Sequence, residues 1–143
     1  MEHSRWSSEA TTILAGIRET IQSSVADSLE FLPPVHILDL HEDGYIKPHV
    51  DSIKFSGGVV AGLSLLSDGV MRLRPVDPET DEPVDDNSHA DFLLRQRSLY
   101  VMSGAARYTF THEILQSSDA IFDGVSIERG RRISVIFRDV LKS

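Results

Sequence analysis

A sandwich or jelly roll of short strands, preceded by an amphipathic helix, is the fold class that this 143-residue sequence predicts. Three observations carry it. Between residues 35 and 138, apolar runs of strand length recur between turn residues, at the spacing of an all-β domain. Upstream, Ile13, Ile17, Ile21 and Val25 recur at helical spacing. Near the far end, residues 132–138 alternate with the period of two that a strand requires: Arg132, Ser134, Ile136 and Arg138 on one face, Ile133, Val135 and Phe137 on the other.

The helix is expected over residues 8–28, with serines ahead of it as caps, and such a helix serves to buttress a sheet. Pro33-Pro34 ends it. Strands then follow at 35–40, 45–48, 59–66, 70–75, 92–94, 99–102, 108–111 and 133–138, with Ser67-Asp68-Gly69 as a hairpin turn. The acidic, proline-broken segment 77–91 has the composition of a solvated, disordered loop. No internal repeat is present. The length supports one hydrophobic core, divided into an N-terminal helical segment, 1–34, and a β domain, 35–143.

The stretch YIKPHVDSIKF contains His49 and Asp51, two residues apart where an extended chain would continue from the strand expected at 45–48. Side chains at that spacing share a face and can grip one metal ion together. A histidine from a distant strand, His112, would complete a set of two imidazoles and one carboxylate, which suits non-haem Fe(II) and leaves coordination positions open. The His-x-Asp pattern occurs twice more. His41 and Asp43 fall in a polar turn, where side chains fan apart, and His89 and Asp91 sit at the edge of the acidic loop, too near His112 for intervening strands. The metal reading therefore rests on His49, Asp51 and His112.

Arg132 and Arg138 share the polar face of the last strand, with Cα atoms roughly 20 Å apart at the usual strand rise. If their long side chains lean together, the gap between their heads suits a small dicarboxylate, which a planar guanidinium can hold bidentately. Ser134 lies between them as a hydroxyl donor.

A net charge of −8 argues against a broad phosphate-binding surface, although Arg129, Arg131 and Arg132 are locally basic. The absence of cysteine excludes disulfides and iron–sulfur ligation. No apolar run reaches the length of a membrane span. The first 30 residues hold Glu2, Glu9, Glu19, Asp27 and Glu30, unlike an acid-poor transit peptide.

Taken together, HILDL, DGYIKPHVDSIKF, AGLSLLS, SLYVMSG with the following ARY, HEI, and RGRRISVIFR resemble the AlkB-type Fe(II)/2-oxoglutarate dioxygenases, most of all their mitochondrial branch, over residues 35–138. The resemblance implies a double-stranded β-helix of the jelly-roll, cupin-like kind with one or two flanking N-terminal helices. It implies Fe(II) on His49, Asp51 and His112, with 2-oxoglutarate and oxygen as cosubstrates. Arg132 would clamp the distal carboxylate of 2-oxoglutarate, Arg138 would lie near its metal-bound end, Ser134 stands where relatives often carry asparagine, and Tyr100 matches a cosubstrate-binding tyrosine. Leu38 and Leu40 depart from an asparagine and a tyrosine found in nucleic-acid-repairing members, and the upstream region that builds a substrate lid in longer relatives is expected to be missing or truncated.

The activity so implied is oxidation of a C–H bond in a protein substrate, in a mitochondrial matrix setting linked to regulated necrosis and fatty-acid metabolism. Demethylation of RNA and a catalytically idle binding module are the alternatives.

Overall fold

The computed structural model describes residues 6–84 and 86–142. The chain forms two four-stranded sheets whose neighbouring strands are all antiparallel. The first sheet runs β1 (His36–Leu40), β10 (Arg132–Arg138), β3 (Val59–Leu65), β6 (Ser98–Ser103). The second runs β2 (Ile46–His49), β7 (Phe110–Ile114), β4 (Gly69–Pro75), β5 (Ala90–Leu94). Val60, Met102 and Ile136 of the first sheet pack with Met71, Leu94 and Ile114 of the second, so the inner faces enclose one core. This is the jelly roll expected from the sequence.

One long helix, α1 (Ser8–Ser23), covers the outer face of the first sheet, where Leu14 and Ile21 meet Val59, Ala61, Val135 and Phe137. Ser7 caps it, its hydroxyl accepting the Ala10 N–H at 3.1 Å and satisfying one of the orphaned donors of the first turn. Two details differ from expectation. Ile13 is 56% exposed and Leu14 takes the buried position. A row of residues four apart drifts by about 40° per step around a helix, whereas Leu14 and Ile21, seven apart, stay within about 20° of each other. The helix also stops at Ser23 rather than residue 28. Ser24 donates its hydroxyl to the Ile21 carbonyl at 2.6 Å, and the Gln22 amide takes up the Asp27 carbonyl and the Leu29 N–H, at 2.7 and 2.8 Å. Polar side chains thereby supply the departing chain with the partners that another helical turn would have provided.

Ser67-Asp68-Gly69 is not a hairpin within a sheet. It carries the chain from β3 in one sheet to β4 in the other, with Leu66 at φ 76° making the bend. The strand expected at 108–111 begins later. Gly104, at φ 57°, ends β6, and Ala105–Tyr108 forms one helical turn, α2, before β7. This shift places His112 at the centre of β7 instead of just beyond a strand. Residues 77–84 are held by backbone bonds, Asp77 N–H to Glu82 O at 2.8 Å and Val84 N–H to Pro75 O at 2.9 Å, so the disorder expected of the acidic segment is not what its described residues form. Asp91 lies within β5 and pairs bidentately with Arg72, at 2.8 and 3.0 Å. A short hairpin, β8 (Ile121–Phe122) with β9 (Val125–Ser126), turns on Asp123 and Gly124, both at positive φ.

Gly62 on β3 faces Tyr100 on β6 in direct register. A Cβ at Gly62 would stand 2.4 Å from Tyr100 Cε1, so the ring lies where a side chain would be. Gly62→Ala is expected to displace Tyr100 and destabilise the fold by about 1–3 kcal/mol, the usual range for overpacking. Urea unfolding measures this, and an unchanged midpoint with an undisturbed tyrosine environment would count against it.

Candidate metal and cosubstrate site

Strand register brings the ligand candidates together. His49 and His112 are direct cross-strand partners on β2 and β7, and their ring centroids lie 4.1 Å apart. Asp51 follows β2 by two residues and turns its carboxylate between them, Oδ1 at 3.4 Å from His49 Nε2 and 3.7 Å from His112 Nε2. One ligand atom from each of the three lies within 4.8 Å of the others. The Nδ1–H of His49 is directed at the Lys47 carbonyl, 2.8 Å away, which leaves Nε2 facing Asp51. Such an outer bond fixes the ring orientation of a ligating histidine.

The electrostatics suit a cation. Burial tends to raise the Asp51 pKa, but its bonds to His49 and Arg138 outweigh burial and hold it well below the usual carboxylate range. Arg138 Nε donates to Asp51 Oδ2 at 2.6 Å. Burial, together with the neighbouring His49, pushes His112 down to about 4, so it stays neutral with a free lone pair. His49 is raised by its bond to Asp51, against the effect of burial. A metal ion between these atoms would compete with protons for the same ligand atoms.

Behind the triad, a narrow cavity is lined by Tyr100, Arg132, Ser134 and Arg138 together with His49, Asp51 and His112. All seven residues expected from the sequence therefore line one space. Arg132 is 2% exposed and has no carboxylate partner among the described residues. Its Nε donates to Ser64 Oγ at 3.0 Å, while its Nη2, also buried, has no hydrogen-bond partner. Burial lowers its pKa. Tyr100, pushed up to about 12 by burial, remains a neutral hydroxyl beside it. An orphaned guanidinium donor in a closed cavity is costly unless an anion completes it.

Ser64 was not foreseen. It is fully buried on β3, directly opposite Ser134 on β10, and its signal lay in the inward phase of Val60, Gly62 and Ser64. Arg107 and Arg129, each 2% exposed, were also missed as structural arginines. Arg129 gathers the carbonyls of His41, Glu42 and Gly44, tying down the turn between β1 and β2. That turn holds the other close-set group, His41, Glu42 and Asp43, all exposed. There the Asp43 N–H donates to His41 Nδ1 at 3.1 Å, as in a local turn.

Above the triad opens a groove of about 1010 Å³ between the β1 and β2 edges, walled by Leu38, Leu40, Tyr45 and Phe55. Leu38 and Leu40 thus serve as an apolar wall where the related pattern has polar groups.

The sequence pattern of the 2OG-Fe(II) oxygenase superfamily matches residues 3–138. This chain belongs to that superfamily. The superfamily's iron and 2-oxoglutarate find fitting residues in this member, a His-Asp-His group and a buried arginine with one unsatisfied donor and no carboxylate partner among the described residues, in one cavity. The AlkB-type resemblance is borne out: the chain is 48% identical over 139 residues to the alpha-ketoglutarate-dependent dioxygenase alkB homolog 7, mitochondrial, of Bos taurus. It is 45% identical over 139 residues to the mouse (Mus musculus) protein of the same name. Both alignments take in 97% of this chain, which spans 58% of the length of each relative. In fold, this superfamily member is similar to a Pseudomonas putida prolyl-4-hydroxylase, with a TM-score of 0.59 at 16% identity over 96% of this chain and 70% of that one. A 2OG-Fe(II) oxygenase family oxidoreductase of Burkholderia pseudomallei gives a TM-score of 0.59 at 14% identity over 92% of this chain and 57% of that one.

Proposed function

We propose that this chain is an AlkB-type dioxygenase in which His49, Asp51 and His112 hold Fe(II) and Arg132 receives the distal carboxylate of 2-oxoglutarate. The observation that carries the reading is Arg132: a buried guanidinium without an acid among the described residues, with one donor unsatisfied, in the cavity that the three metal-ligand candidates also line. A dicarboxylate with one end at the metal and the other at Arg132 would satisfy both. Arg138 keeps the Asp51 carboxylate charged and oriented, while Ser134 and Tyr100 line the cosubstrate's path. Bound iron would supply oxygen activation coupled to decarboxylation of 2-oxoglutarate to succinate and carbon dioxide, with oxidation of a substrate C–H bond. The protein's part is to orient the ligands, neutralise the dicarboxylate and keep water from the inner cavity. Residues 35–143 act as the dioxygenase domain, with residues 1–34 as its buttress.

For the substrate, the groove supports a protein side chain. Its walls are mainly apolar, and among the described residues the lysine and arginine that line it are Lys47 and Arg138, the latter already engaged by Asp51. With a net charge of −8, the chain has little with which to release counterions from a nucleic acid. The mitochondrial address of the relatives is carried over, in the matrix, together with the link to regulated necrosis and fatty-acid metabolism. The chain is expected to form succinate from 2-oxoglutarate in an iron- and oxygen-dependent way even without substrate, and to bind RNA weakly at physiological salt. No succinate would leave the idle binding module as the reading. Submicromolar RNA affinity would favour the RNA demethylase.

A further inference from the structure

Asp51 is the one ligand candidate that no sheet ladder holds. β2 ends at His49, its register with β7 already shifts between Ile46 and His49, and Asp51 begins an irregular loop. A ligand carboxylate must reach its metal to within a few tenths of an ångström. Arg138 restrains its oxygen, but a side-chain bond alone does not set where the backbone lies.

The backbone is held by Arg107. This residue sits on α2, is 2% exposed, and has no carboxylate partner among the described residues. Its guanidinium spreads across the loop: Nη1 donates to the Asp51 carbonyl at 2.9 Å, Nε to the Gly57 carbonyl at 2.9 Å, and Nη2 to the Ser52 carbonyl at 3.2 Å and the Ser56 hydroxyl at 3.1 Å. The Tyr108 ring lies 4.8 Å from the guanidinium carbon. The α2 turn leads directly into β7, which carries His112. One side chain thus joins the segment bearing the third ligand candidate to the loop bearing the carboxylate. The planar five-donor fork is what the task needs, since several carbonyls facing different ways must be met at once.

We propose that Arg107 is a positioning residue for the metal centre, fixing the backbone of residues 51–57 so that the Asp51 carboxylate meets the two imidazoles. The proposal rests on the metal-site reading above. It separates Arg107 from a clamp that only stabilises the fold, because a fold clamp would leave metal affinity unchanged in molecules that remain folded.

The test is Mn(II) binding followed by the loss of free-ion EPR signal, on the full chain at a temperature where circular dichroism shows each variant folded. Arg107→Lys keeps the charge but reaches fewer carbonyls, and is expected to weaken Mn(II) binding ten- to a hundredfold, the range seen when groups that orient metal ligands are removed. Ser56→Ala removes one partner of the guanidinium and is expected to weaken binding a few-fold in the same direction. Wild-type Mn(II) affinity in folded Arg107→Lys overturns the proposal. If that variant does not fold, wild-type affinity in Ser56→Ala overturns it instead. His112→Ala is the control: if it binds Mn(II) like wild type, the metal-site reading itself has failed, whatever Arg107 does.

Discussion

Replacing His112 with alanine is expected to abolish iron-dependent succinate formation while leaving the metal-free protein folded. The imidazole is partly buried, stands 3.7 Å from Asp51 and contributes to neither of the two main apolar clusters. Its loss should therefore cost little stability but remove one of the three proposed metal ligands. A thermal-shift titration shows the contrast directly. Binding to the native state alone adds about 2.7 kcal/mol when ligand stands at a hundred times its dissociation constant, which for a domain of this size raises the melting temperature by several degrees. Wild type should show that rise with Mn(II); His112→Ala should not. An equal rise in both would remove His112 from the metal site.

Arg132 gives the second large effect, and stability and binding should move apart there. The guanidinium is buried and, among the described residues, only partly satisfied, an arrangement that natural proteins keep for function more than for stability. Arg132→Met should hold or raise the melting temperature, since it replaces a desolvated cation with an apolar chain of similar length. Both Arg132→Met and Arg132→Lys should weaken 2-oxoglutarate binding, by about 2–5 kcal/mol where a desolvated charge pair is lost. That corresponds to a rise of more than an order of magnitude in the cosubstrate requirement. Titration calorimetry with the Mn(II)-loaded protein decides it: wild-type affinity in Arg132→Lys would place the arginine outside the cosubstrate site.

The site was more legible than the connections around it. Arg132, Ser134 and Arg138 announce themselves by an alternation whose apolar face, Val135 and Phe137, does pack beneath α1, whereas the same strand argument for His49 and Asp51 holds only for His49, since β2 ends there and Asp51 reaches the site from the following loop. The alternation of residues 132–138 is a period-two signal, local and robust. Ser67-Asp68-Gly69 was misread because turn chemistry is the same whether a chain reverses within a sheet or crosses to the facing one; the distinction lies in strands far away. The start of β7 was misplaced for a different reason. Gly104-Ala105-Ala106 permits one helical turn, and a four-residue helix leaves no periodicity to detect. Ser64 and Arg107 illustrate a third limit. A serine on a buried strand and an arginine in a turn are ordinary by composition, and only tertiary contact gives them partners 68 and 51 residues away.

The position of β10 governs how this chain must be assembled. The strand follows every other strand of the two sheets in sequence yet lies in the interior of its own, between β1 and β3. Until it arrives, those two strands have no ladder between them, and their apolar residues lack both a neighbour and a finished surface for α1. Helix and hairpin formation can start early, but the closing step joins segments about a hundred residues apart, with the loop-closure entropy and slow kinetics that high contact order brings. Because Arg132 and Arg138 ride on that same strand, the arginine-bearing face of the cavity and the cooperative fold come into being together, and a chain lacking β10 has neither.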